Sequence, residues 1–152
     1  MPILIVCLFV LWIVAWDNPR FARDYFRDIV PISHVMASKR WSNDSCVYAI
    51  ARLGADAPEV PPVLASAASP DWLYAWPDDW LPTPIQPSLD TSGDPQTWSM
   101  FFCAYNWPKD IADNLATALM TSGSFYNGRP QGQDLYIYAP GDGLIARIRY
   151  GD

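Results

Sequence analysis

The sequence predicts an α+β protein: a single N-terminal transmembrane helix, then a small domain with amphipathic helices, a Pro/Trp-rich extended arm and a C-terminal β-hairpin. Three observations predict it. The chain opens on an uncharged apolar run from Ile3 to Trp16. Prolines crowd residues 57–98, at positions 58, 61, 62, 70, 77, 82, 84, 87 and 95. Near the C-terminus, Leu135–Tyr138 and Leu144–Tyr150 flank Ala139-Pro140-Gly141-Asp142-Gly143, a turn-forming run. The expected division is an anchor over 1–16, an amphipathic juxtamembrane helix over 17–31, and a small α+β domain over 32–152 that includes the arm, 57–98.

The first segment has no polar face. Its apolar members are Ile3, Leu4, Ile5, Val6, Leu8, Phe9, Val10, Leu11, Trp12, Ile13, Val14 and Trp16, with Cys7 among them. As a helix the run rises about 21 Å at 1.5 Å per residue, whereas a bilayer core of about 30 Å asks for about 20 residues. A signal-peptide core, a buried helix and a short anchor therefore compete. No Lys or Arg precedes the run, and Ile13-Val14-Ala15 makes a poor cleavage site. Trp12 and Trp16 suit the headgroup interface, and neighbouring subunits or bilayer thinning accommodate a short span. The anchor reading leads.

Asn18 can cap a second helix with Pro19 at its first position. Phe21, Ala22, Tyr25, Phe26, Ile29 and Val30 then form an apolar stripe opposite Arg20, Arg23, Asp24, Arg27 and Asp28, ending at Pro31. Such a stripe fits a membrane interface, a partner helix or the protein's own domain. Phe21, Tyr25 and Phe26 are candidate partner contacts.

Residues 32–40, which hold the only histidine, His34, read as a turn or short helix. A further helix is expected from Asp44 to Leu53, with Cys46, Val47, Ile50 and Leu53 on one face and Gly54 as its stop. The run Ser42-Asn43-Asp44-Ser45-Cys46-Val47-Tyr48-Ala49, with a cysteine opening a helix, resembles the cysteine helix of papain-like and amidase folds. Those families place the catalytic His after the Cys, and here His34 precedes Cys46. The enzyme reading is accordingly set aside.

In the arm the prolines exclude long helices and central strands. Yet it carries Trp72, Trp76 and Trp80 with Leu73, Tyr74 and Leu81, in a near-repeat of Pro70-Asp71-Trp72-Leu73 and Pro77-Asp78-Asp79-Trp80-Leu81. Disordered segments are poor in aromatics, so the arm is expected to pack on its own domain, on a protein or on glycan. Trp72, Trp76 and Trp80 are the candidate contacts. Asp78-Asp79 are read as solvated turn residues rather than a hydrolytic pair.

Thr97–Tyr105 reads as a strand, and Pro108–Thr121 as a helix with Ile111, Leu115, Ala118 and Leu119 on one face. With the hairpin, this strand–helix–hairpin order resembles half of a peptidoglycan-binding sporulation-related repeat, without its second helix.

The acids are 15 Asp and one Glu, the bases eight Arg and two Lys, for a net charge of −6. With abundant Ala and Pro, that bias suggests a GC-rich bacterial source. Leu53–Pro108 contains no Lys or Arg but seven acids, which argues against nucleic-acid binding. Cys46 and Cys103 can form a disulfide outside the cytoplasm, or remain two buried thiols. Metal spacings, phosphate-loop glycine patterns and haem-attachment motifs are absent from the sequence, so no cofactor and no small-molecule substrate are expected.

The expected function is a non-catalytic accessory subunit of a larger membrane protein complex, respiratory or photosynthetic in type, with integral membrane subunits as partners. The alternative is an envelope-facing glycan or protein binding module. The expected location is the inner membrane. Three Arg after the anchor favour a cytoplasmic domain, whereas the cysteine pair and the scarcity of Lys and Glu favour the periplasmic side, which is preferred.

Overall fold

A computed structural model describes residues 2–41, 44–64, 72–85, 97–128 and 133–151, with the side chains of 2–4, 13–17 and 72 left aside. The apolar runs near the C-terminus form the centre of the sheet. β5 (Asp134–Ala139) and β6 (Leu144–Tyr150) pair antiparallel, with Ile137 opposite Ala146 and Tyr136 opposite Arg147. Their turn closes on Gly143, whose φ of 63° a residue without Cβ adopts at no steric cost. β1 (Ile32–Lys39) and β2 (Cys46–Leu53) extend the sheet on one side. β4 (Phe125–Gly128) and the two-residue β3 (Leu81–Pro82) extend it on the other. The six strands run antiparallel in the order β1-β2-β6-β5-β4-β3. Pro82 sits in an edge strand, where its missing N–H interrupts no central ladder.

Both sheet faces are covered. On one lie Cys46, Tyr48, Ile50, Leu135, Ile137, Ala146 and Ile148, beneath Cys103, Trp107, Ile111, Leu115 and Leu119. Those covering residues come from α2 (Trp98–Cys103), the single 3-10 turn that prolongs it (Ala104–Asn106), and α3 (Lys109–Met120). On the other face Val47, Ala49, Ala51, Tyr136, Tyr138 and Ile145 meet Phe21, Ala22, Tyr25 and Phe26 of α1 (Pro2–Phe26), with Leu73 and Trp76 of the arm. The result is three layers, helix–sheet–helix. A disulfide between Cys46 and Cys103, Cα atoms 5.6 Å apart, ties the start of β2 to the end of α2.

Several expectations are corrected. The apolar run and the amphipathic stripe are not two helices but one, Pro2–Phe26, with Pro19 inside it rather than at its start. The expected transmembrane anchor fails: among the described residues no helix is long and apolar enough to cross a membrane. Within the same helix the apolar run gives way to Arg20, Arg23 and Asp24. The inner-membrane, single-pass location and its periplasmic orientation go with the anchor. Where a helix was expected over Asp44–Leu53 stands strand β2, Cys46–Leu53, and where a turn or short helix was expected over 32–40 stands strand β1, Ile32–Lys39. Thr97–Tyr105, expected as a strand, is helix α2 and its 3-10 extension, which removes the strand–helix–hairpin order. The helix at 109–120 and the C-terminal hairpin stand where the sequence placed them.

Candidate interaction surface

The C-terminal half of α1 docks because its apolar stripe faces small residues. Ala49 and Ala51 on β2 leave room for Phe21, Tyr25 and Phe26, all three buried. At the point of docking Ser38 of β1 enters the helix backbone. Its Oγ accepts from the Ala22 N–H (2.9 Å) and its hydroxyl donates to the Asn18 carbonyl. An α-helix would join those two groups directly, four residues apart. Pro19 also has no N–H to give to Ala15. Pro19 thus removes one bond of the α1 ladder, and Ser38 competes for the two groups of a neighbouring one. The Asn18 side chain, expected as a helix cap, instead accepts from the backbone N–H groups of Arg40 and Trp41, each at 2.8 Å.

Beneath this joint lies a buried ionic cluster. Arg149 Nη1 donates to Asp134 Oδ2 at 2.9 Å, and Arg147 Nη2 lies 3.5 Å from Asp134 Oδ1. The Arg147 guanidinium lies 5.4 Å from the ring centre of Tyr25, a cation–π contact that ties the cluster to α1. The one carboxylate of Asp134 is shared by the two guanidinium groups.

The Trp-rich arm closes on its own domain. Trp76 is 3% exposed, and its indole N–H donates to the Pro62 carbonyl at 2.9 Å. Trp80 packs against Trp76, Tyr136 and Tyr138 with ring centres 5.0–6.4 Å apart. Tyr25 and Tyr136 donate to the Ala75 carbonyl, and Tyr138 donates to that of Pro58. A Pro-rich segment has carbonyls without matching N–H groups, and the domain's phenols and indoles supply donors to them. Of the six candidate partner contacts, Phe21, Tyr25, Phe26 and Trp76 are buried core, Trp80 is half-buried in the same cluster, and the Trp72 side chain lies outside the described set.

The residues weighed for chemistry are dispersed. Cys46 is bonded to Cys103 and carries no thiolate. His34 stands exposed on β1. Asp79 accepts from the Asn127 amide through both its carboxylate (2.8 Å) and its carbonyl (2.9 Å), a turn-fixing role. Among the described residues no three His, Cys, Asp or Glu side chains gather as a metal site.

What remains uncovered is the N-terminal projection of α1. Ile5, Val6, Leu8, Phe9, Val10, Leu11 and Trp12 are 52–65% exposed, and Cys7 is exposed among them. Eight consecutive helical residues cover the whole circumference, so the projection is apolar on every side. A second uncovered group was missed in the sequence: Trp98, Phe101 and Phe102 of α2 with Tyr105 after it. The one available signal was the absence of any charged residue from Thr97 to Trp107. The chain matches no protein-family model, no curated protein and no solved structure.

Proposed function

We propose that this chain is a non-catalytic accessory subunit of a larger membrane protein complex, held to it by the apolar projection of α1. The observation that carries the reading is that projection: seven large apolar side chains, exposed on all sides of one helix. A helix apolar all round is stable only when enclosed. The domain encloses its C-terminal half alone, and among the described residues no helix is long and apolar enough to cross a membrane. A groove between the helices of integral membrane subunits supplies the missing enclosure. The area supports this kind of partner over a single facing helix. At roughly 100 Å² per side chain the projection offers on the order of 700 Å², close to the share of one partner in a standard interface, and pairing through one helix face would use about half of it. The glycan-binding alternative has less support, since Trp76 is core.

Native electrophoresis of gently solubilised membranes, with mass spectrometry of whatever migrates with the chain, tests the proposal. Stoichiometric co-migration with one large complex is expected, and it is lost when Leu8→Asp and Phe9→Asp are introduced together. Migration of the unaltered chain by itself overturns the reading.

A further inference from the structure

We infer that the aromatic surface of α2 is a self-association site, through which two copies of this chain pair about a two-fold axis. The site is built outward from the disulfide. Ser99 and Cys103 are the buried face of α2, and Cys103 is bonded to Cys46. That anchoring turns Trp98, Phe101, Phe102 and Tyr105 toward water, at 43%, 76%, 43% and 83% exposure. The group is ordered within itself. Phe102 stacks on Tyr150 with ring centres 4.6 Å apart, while Trp98 and Phe101 meet Phe102 edge-on at 6.0 and 5.5 Å. Contiguous exposed aromatics on a fixed scaffold mark an interaction site.

Area and charge select the occupant. With aromatic side chains of about 150–250 Å² each, the four exposed fractions amount to on the order of 500 Å² per copy. Two copies together cover about 1,000 Å², the lower bound of a specific interface. Each copy carries a net charge of −6, so like copies repel across most of their surface. Residues 97–107 contain no charged side chain, so the aromatic patch itself sets no like charges against one another. Edge-to-face aromatic packing is satisfied by identical partners, as an isologous interface requires. The area makes this a weak, concentration-dependent dimer. It uses a face of the sheet opposite the one that receives α1, so it is independent of the accessory-subunit reading.

Sedimentation velocity over a concentration series tests it, on full-length protein carrying Phe9→Asp so that the α1 projection adds no association of its own. That protein is expected to shift from monomer toward dimer as concentration rises. Adding Phe101→Asp and Tyr105→Asp, both at exposed positions, is expected to leave it monomeric at every concentration, with an unchanged near-ultraviolet circular dichroism spectrum. Three results overturn the inference: a monomer throughout the series before α2 is altered, a dimer that survives the α2 substitutions, or loss of co-migration with a larger complex as their only effect.

Discussion

Arg147 is the bulkiest of the side chains that the described fold removes wholly from water. Room for it comes from its neighbours in register: Ala49 stands opposite on β2, while Tyr136 on β5 walls the other side. Its charge is met by Asp134, which also serves Arg149. Taking away one partner of a buried ion pair is far costlier than exchanging the whole pair for apolar residues. Asp134→Ala is therefore expected to destabilise the domain by about 3–5 kcal/mol, read as a lowered midpoint in urea denaturation. A loss under about 1 kcal/mol would assign the cluster a surface-like weight. Tyr138 gives a second expectation. Burial raises its phenol above the ordinary value of 10.0, because the ionised form is the one that desolvation penalises. A raised pKa holds stability in full below the unfolded value and loses it as pH climbs through the folded one. The melting temperature should thus fall above about pH 10, and Tyr138→Phe should remove this residue's share of the fall while costing the hydrogen bond to Pro58. Equal alkaline profiles for the two proteins would rule the group out.

Among the elements, legibility followed exposure. The helix at 109–120 was readable because one face is wet: Ile111, Leu115, Ala118 and Leu119 recur at helical spacing against Lys109, Asp110 and Asp113. The C-terminal hairpin was readable from its turn. β2 was not, since it is buried between helices on both faces and loses the alternation that marks a strand. Cys46, Val47, Ile50 and Leu53 then mimic a helical stripe by coincidence. α2 failed in the opposite sense. Trp, Met and Phe at 98–102 carry strand propensity, but they belong to a short helix whose aromatics face outward. Neither candidate surface was fully legible: the apolar run was visible, yet its continuity with the docked stripe depends on Ser38, twenty residues away. The disulfide tests how α2 is held. It closes a loop with a sequence separation of 57 residues, for which chain entropy gives about 4 kcal/mol as an upper figure and measured bridges about 2–4 kcal/mol. Reduction, or Cys46→Ser with Cys103→Ser, should lower the melting temperature accordingly. It should also speed amide exchange in α2 before that in β5 and β6. Uniform loss of protection would show that α2 and the sheet open as one unit.

At the scale of the molecule, the apolar projection belongs to the helix docked on one sheet face and the uncharged aromatic surface to the helix on the other. The interruption of α1 at Asn18–Ala22 has a thermodynamic consequence. Helix cooperativity passes along the backbone ladder, and in proteins most of a helix's stability comes from packing rather than from propensity. With one bond removed by Pro19 and a neighbouring one contested by Ser38, the docked half of α1 passes less of its stability to the residues before it. Helix content there becomes a variable set by the environment of the apolar side chains, and enclosure and helix formation merge into a single transition. The binding of this end should then carry the calorimetric signature of a folding reaction, a large negative heat-capacity change with an entropic penalty.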